Sequence, residues 1–263
     1  MPTVTTHAPG TFCWPELATL DQKGAVAFYR ALFGWDVTEQ PIGPTETYAM
    51  FTLRGKNIGA AYSMRAEERQ RGVPPHWGSY VAVADADAAA KRAQELGAKI
   101  LAPAFDVMEA GRMAVLQDPT GAVFMLWQAK NHAGAEVLGD PGSLCWTELA
   151  TRDISAAEKF YTSLFGWTVK HGSGGADGAM QYYEISNKGT QQGGIMAITP
   201  QMGNMPPAWT PYFAVNDVDA TAAKAKELGG RVYMGPQDLP TVGRFAVVGD
   251  PQGAMFDIFK SAR

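Results

Sequence analysis

Cysteine is nearly absent, with 2 in 263 residues, which excludes a disulfide framework and fits a reducing compartment. Histidine is almost as scarce: His7, His76, His132 and His171 all fall in expected loops or termini, without ligand spacing. No run approaches the roughly 18–20 apolar residues of a membrane-spanning helix, and the mean hydropathy is −0.15. Charge of either sign is sparse and scattered. The 22 basic and 26 acidic residues leave a net charge of −4, which argues against a general binder of nucleic acid or acidic membrane. Residues 1–10 show no basic segment followed by an apolar core, so no secretory signal is expected and a cytoplasmic location is the default.

What is plentiful is turn formers and rings. The 29 Gly and 17 Pro suggest many short strands, while 7 Trp, 9 Tyr, 12 Phe and 12 Met suggest an apolar, well-lined interior. The length suits two domains of about 120 residues each.

The chain is written twice. Residues 9–35, PGTFCWPELATLDQKGAVAFYRALFGW, match residues 141–167, PGSLCWTELATRDISAAEKFYTSLFGW, at 16 of 27 positions and an offset of 132. The same offset relates Pro75, Trp77 and Tyr80 to Pro207, Trp209 and Tyr212. It also relates Gly111-Arg112 and Asp118-Pro119-x-Gly121 to Gly243-Arg244 and Asp250-Pro251-x-Gly253. The expected organisation is a first domain over residues 8–130, a linker over 131–140 and a second domain over 141–261. Cys13 and Cys145 occupy matching places, which favours packing over chemistry as their reason.

Each copy predicts the same order of elements. A short apolar strand over Phe12–Thr19 precedes Asp21 (Asp153 in the second copy), a helix N-cap. Phe28, Tyr29, Leu32 and Phe33 then recur at helical spacing, and Gly34 or Gly166 stands where a left-handed C-terminal residue is wanted. A hairpin follows through Thr47–Leu53 and residues 57–64, turning at Arg54-Gly55-Lys56. Next come a strand at 80–84 or 212–216 and an Ala-rich helix over 85–96 or 217–228, stopped by Gly97 or Gly229. Two last strands flank the Asp-Pro-x-Gly turn. The fold class is α+β: four βαβββ units forming two modules whose curved sheets carry helices outside and enclose a cavity inside.

The pattern Asp-x6-Phe-Tyr-x3-Phe-Gly-Trp after a first strand resembles the vicinal oxygen chelate superfamily, which groups glyoxalase I, bleomycin-resistance proteins and extradiol dioxygenases. The Asp-x-Asp start of the Ala-rich helix and the Asp-Pro-x-Gly turn agree with it, twice over. More narrowly, the chain is similar to two-domain actinobacterial members termed glyoxalase-like or hydroxylase-like. Metal-binding members place His, Gln or Glu at three cavity-facing strand positions. The resemblance maps these onto Trp14, Gly78 and Met125 in the first copy, and Trp146, Thr210 and Asp257 in the second. Only Asp257 is a good ligand, so no metal and no other cofactor is expected, and a metal-dependent dioxygenase is disfavoured.

Strand alternation assigns the inner face. Trp14, Glu16, Tyr80, Met125 and Trp127 face inward in the first copy; Trp146, Glu148, Tyr212, Asp257 and Phe259 do so in the second. Cys13 and Cys145 are expected to point toward the helices. Trp77 and Trp209 could be a wall of the pocket mouth or a hydrophobic anchor. Such a face suits an apolar pocket with a few orienting polar groups, although a closed aromatic core remains the alternative. Glu16 and Glu148 are either neutralised by arginines such as Arg112 and Arg244 or available as general bases. The expected function is metal-free binding of a planar or amphipathic metabolite or antibiotic. The alternative is a glyoxalase-like lyase or isomerase using a cavity Glu. No nucleic-acid or membrane partner is expected, and pairing of the two copies within the chain makes a monomer plausible, with a dimer still open.

Overall fold

The computed structural model describes residues 3–44, 46–172 and 181–262. Met1 and Pro2, at the start of the segment read for a signal, lie outside them. The first half runs β1 (Phe12–Thr19), α1 (Gln22–Phe33), β2 (Asp36–Pro41), β3 (Thr47–Leu53), β4 (Lys56–Ser63) and a short α2 (Ala66–Gln70). It continues through β5 (His76–Ala82), α3 (Ala86–Glu95), β6 (Lys99–Val107), β7 (Gly111–Gln117) and β8 (Val123–Ala129). The second half repeats the order as β9 (Leu144–Thr151), α4 (Ile154–Phe165), β10 (Thr168–His171), β11 (Tyr182–Asn187) and β12 (Thr190–Ala197). It ends with β13 (Ala208–Ala214), α5 (Val218–Glu227), β14 (Arg231–Leu239), β15 (Gly243–Gly249) and β16 (Met255–Ser261). Among the described residues no helix is long and apolar enough to cross a membrane.

The helix signals act as their chemistry requires. Asp21, Asp85, Asp153 and Asp217 each accept a hydrogen bond from the backbone N–H three residues on, satisfying an orphan donor of the first turn. Gly34 and Gly166 end α1 and α4 with φ of +73° and +70°.

Each module is one curved eight-stranded sheet, ordered β2-β3-β4-β1-β5-β8-β7-β6 and β10-β11-β12-β9-β13-β16-β15-β14. The two βαβββ units of a module join through antiparallel β1·β5 or β9·β13 pairs. The helices cover one face of each sheet, and those covered faces are shared between modules. One core combines Phe28, Tyr29, Trp35 and Trp77 of the first module with Phe213, Val218 and Phe256 of the second. The other combines Phe12, Leu116 and Phe124 with Phe160, Tyr161, Trp167 and Trp209.

Polar pins cross this double core. The Tyr29 hydroxyl donates to Asp250 (3.2 Å) and accepts from the Trp77 indole (2.9 Å). Its repeat-mate Tyr161 donates to Asp118 and accepts from Trp209, both at 2.8 Å. The other carboxylate oxygen of Asp118 caps its own turn through the N–H groups of Thr120, Gly121 and Ala122. The Asp-Pro-x-Gly turn is therefore a joint between modules as well as a reversal. Of the two readings open for Trp77 and Trp209, the structure places them as anchors and not at a pocket mouth: each is 4 % exposed in the inter-module core. Trp77 pairs with Leu17 and Trp209 with Leu149, one residue out of phase with Glu16 and Glu148, so the sheet turns them to the helix side.

Candidate functional site

Opposite the helices, each sheet presents a face built on its central strands. In the first module Trp14 pairs with Tyr80, Glu16 with Gly78, and Tyr80 with Met125, placing all of them on one side. Trp14, Tyr80, Met125 and Trp127 pack there as one cluster. Cys13 joins it, against expectation, because a bulge between Phe12 and Trp14 breaks the alternation. Cys145 sits at the equivalent irregularity of β9, and burial raises the pKa of both thiols.

The Glu16 carboxylate is held by hydroxyls rather than by an arginine. Tyr48 donates to one oxygen (2.6 Å) and Tyr80 to the other (2.7 Å), while the Trp14 indole donates to Tyr48 (3.1 Å). Arg112 is instead bound to Asp87 (2.6 Å) and Arg244 to Asp219 (2.7 Å), joining β7 to α3 and β15 to α5. The expected arginine neutralisation is therefore corrected. Desolvation raises the Glu16 pKa, and the hydrogen bonds from Tyr48 and Tyr80 oppose the rise.

The second module repeats the constellation. Tyr212 donates to Glu148 (2.9 Å), Trp146 donates to Tyr182 (2.9 Å), and the Tyr182 hydroxyl lies within reach of the same carboxylate. Desolvation pushes the Glu148 pKa up to about 7 against the opposing hydrogen bonds. Asp257, alongside Tyr212 in the parallel β13·β16 pair, is 4 % exposed, and its Oδ1 has no hydrogen-bond partner. Desolvation, then the Glu148 charge, raises its pKa well above the carboxylate range. Phe259, two residues on, packs against the start of β15, where a Cβ at Gly243 would strike its ring.

Tyr48 and Tyr182 are related by an offset of 134, not 132, so the main repeat does not align them. The loops before β3 and β11 differ in length, so only a local realignment on Arg54-Gly55 and Lys188-Gly189 would have paired them. Gly194 explains how Tyr182 approaches Glu148: a Cβ there would collide with the tyrosine hydroxyl.

The two faces differ in cover. In the first module the segment after β8 crosses the inner face. Trp127 donates to the His132 carbonyl (2.9 Å), the His132 ring meets Trp14 edge-on at 4.5 Å, and Ala135 N–H donates to the Cys13 carbonyl (2.7 Å). His7 lies over it, 2.9 Å from the Ala135 carbonyl. His132 is thus part of a packed cover rather than a free loop, and His76 and His171 sit at strand ends. Among the described residues no segment covers the second face in this way. Trp146, Cys145 and Phe259 are half-buried where Trp14, Cys13 and Trp127 are buried.

The superfamily's metal positions test poorly. They present an indole, a bare backbone and a thioether in one module, and an indole, a hydroxyl and a carboxylate in the other. No group of three or more His, Cys, Asp or Glu side chains among the described residues could hold an ion. The residues present do not fit the metal.

Paired βαβββ units, a tandem repeat and an inner face carrying one Glu–Tyr constellation per module define a two-module glyoxalase-like protein. The family described as the glyoxalase/bleomycin resistance protein/dioxygenase superfamily matches residues 12–126 and again 143–258, and the chain belongs to it. It is similar to the Mycobacterium tuberculosis protein named "Putative glyoxylase CFP32", 41 % identical over 263 residues, covering 100 % of this chain and 99 % of the relative. The anthracycline biosynthesis protein DnrV of Streptomyces peucetius is 36 % identical, with 97 % of this chain and 94 % of that protein covered. Among solved structures, the Mn(II)-bound glyoxalase from Novosphingobium aromaticivorans superposes with a TM-score of 0.67 at 14 % identity, over 97 % of this chain and 83 % of that one. The dioxygenase LapB from Pseudomonas sp. KL28 gives 0.64 at 15 % identity, over 100 % and 94 %. At such identities these two likenesses concern the fold.

Proposed function

We propose that the chain binds a planar, amphipathic small molecule on the inner face of its second module, without a resident metal. The observation that carries this reading is the half-buried Trp146 beside Glu148, Tyr182 and Tyr212: an aromatic surface for stacking with hydroxyls and a carboxyl to orient polar substituents. The covered first face supports one site per chain rather than two. DnrV, whose name refers to the biosynthesis of anthracyclines, a class of fused-ring compounds, is consistent with a planar ligand. Quinizarin, a neutral planar anthraquinone, is the test probe. It is expected to quench tryptophan fluorescence at one equivalent per chain, with the effect lost in Trp146→Ala and kept in Trp14→Ala. Equal loss in both variants, or no saturable quenching, contradicts the assignment.

A second reading is favoured by the burial of Glu148 beside the Tyr212 hydroxyl, which pushes its carboxyl up to about 7 and suits a group that takes and returns a proton near neutrality. It makes the protein a glyoxalase-like lyase or isomerase with Glu148 as base. Turnover of methylglyoxal hemithioacetal by metal-analysed protein, abolished in Glu148→Gln, is its expected result. No turnover removes it.

A further inference from the structure

We propose that the ligand of the second module carries a protonated amine beside its planar part, held by Glu148 and Asp257. The proposal rests on the planar-ligand reading above and adds the charge of the occupant. Glu148 stands opposite Thr210, and Asp257 lies alongside Tyr212, two residues further along the same strand. The Thr210 and Tyr212 side chains share a face, so the two acids stand on that face either side of β13, offset by about 7 Å along the strands and about 10 Å across them at the backbone, and their side chains converge on Tyr212 between them. Tyr212 links them: its hydroxyl donates to Glu148 and also bears on Asp257.

Two acids on one desolvated face can ionise together only with a counter-charge, and among the described residues neither has an ion-pair partner. Every ion pair of Arg112 and Arg244 goes to other carboxylates. The Asp257 Oδ1 is buried with no hydrogen bond of any kind, an acceptor that the fold itself leaves unused. An ammonium has three donors and no acceptor, so it can satisfy this oxygen and a Glu148 oxygen together. The composition agrees with the charge, because Trp146, Tyr182 and Phe259 are aromatic and a cation is attracted to aromatic ring faces.

The first module is the internal contrast. There both Glu16 oxygens are taken by Tyr48 and Tyr80, and Met125 stands in the place of Asp257. That face holds one acid, hydrogen-bonded at both oxygens and covered; the second holds two, one of them with an oxygen left without a partner. Among the differences between the two faces, Asp257 in place of Met125 is the one that adds an acid, and it makes the second site the one suited to a cation.

The test compares three probes on the full chain at about pH 8: proflavine, a planar cation; acridine, its neutral analogue; and an anthraquinone sulfonate, a planar anion. Proflavine is expected to bind at least about tenfold more tightly than acridine, and the sulfonate more weakly than either. Asp257→Asn is expected to cost proflavine about tenfold or more while leaving acridine within about twofold. Should Asp257→Asn not fold, Glu148→Gln is expected to cost proflavine at least about tenfold more than it costs acridine. Proflavine affinity is expected to rise with pH as the facing groups Glu148 and Asp257 ionise, with Cys145, Tyr182 and Tyr212 remaining neutral. Equal affinity for proflavine and acridine in wild type and variants overturns the amine while leaving the planar-ligand reading intact. Failure of all three probes to bind overturns both. Proflavine binding that requires added divalent metal, or is abolished by a chelator, assigns the acids to an ion and also overturns the proposal.

Discussion

Glu148 carries the most informative single-residue behaviour. Its pKa is raised from 4.5 to about 7 in the folded chain, so the folded state holds a proton that the unfolded state releases over that interval. The stability it contributes is present below about pH 4.5 and lost as pH rises through about 7, by at most about 3 kcal/mol. Urea denaturation at about pH 5 and about pH 7 is expected to show a larger loss for wild type than for Glu148→Gln. Equal losses would show that the carboxyl is not desolvated. Asp257 behaves differently again: with an unpartnered oxygen and no cation, Asp257→Asn is expected to leave the thermal midpoint unchanged or raised. A fall would mean that Asp257 is satisfied in the free protein.

At the scale of elements, the segment after β8 is a working part of the first module. Gly134 sits at φ +119° against the Cys13 carbonyl, where a side chain has neither backbone freedom nor room. Gly134→Val is expected to destabilise the chain by about 2–4 kcal/mol in denaturant titration and to expose Trp14 to acrylamide quenching. Unchanged Trp14 exposure would argue against a packed cover. The sequence made much of the elements legible. Asp caps, Gly stops and the hairpin at Arg54-Gly55 are local signals, and strand parity correctly grouped Trp14, Glu16 and Tyr80 on one face. Less local properties were not legible. The bulge at Cys13 breaks parity without a sequence mark of its own, and Tyr48 and Tyr182 hide behind a change of offset. Trp77 lay at a strand start, where alternation has too few residues to fix a face. The hydroxyl partners of Glu16 and Glu148 come from strands distant in sequence, and no local signal distinguishes them from an arginine.

At the scale of the whole molecule, the helix-covered faces of the two sheets do not own separate cores. The first half of one module packs with the second half of the other, and Tyr29 and Tyr161 pin the joint to Asp250 and Asp118. Tyr161→Phe would leave the Trp209 indole N–H and an Asp118 oxygen unsatisfied in the interior, at a cost of about 2–4 kcal/mol. The chain is expected to unfold in one calorimetric transition that shifts as a unit in this variant; two transitions would mean that the modules are independent. Intrachain pairing of this kind also leads us to propose a monomer, which sedimentation equilibrium would check.

The central claim is that the second inner face, and not the first, is a ligand site. Calorimetric titration with proflavine of wild type, Trp146→Ala and Trp14→Ala tests it most directly. The expected result is one site per chain in wild type and Trp14→Ala, with none in Trp146→Ala. Two equivalent sites, or binding that survives Trp146→Ala unchanged, would contradict it.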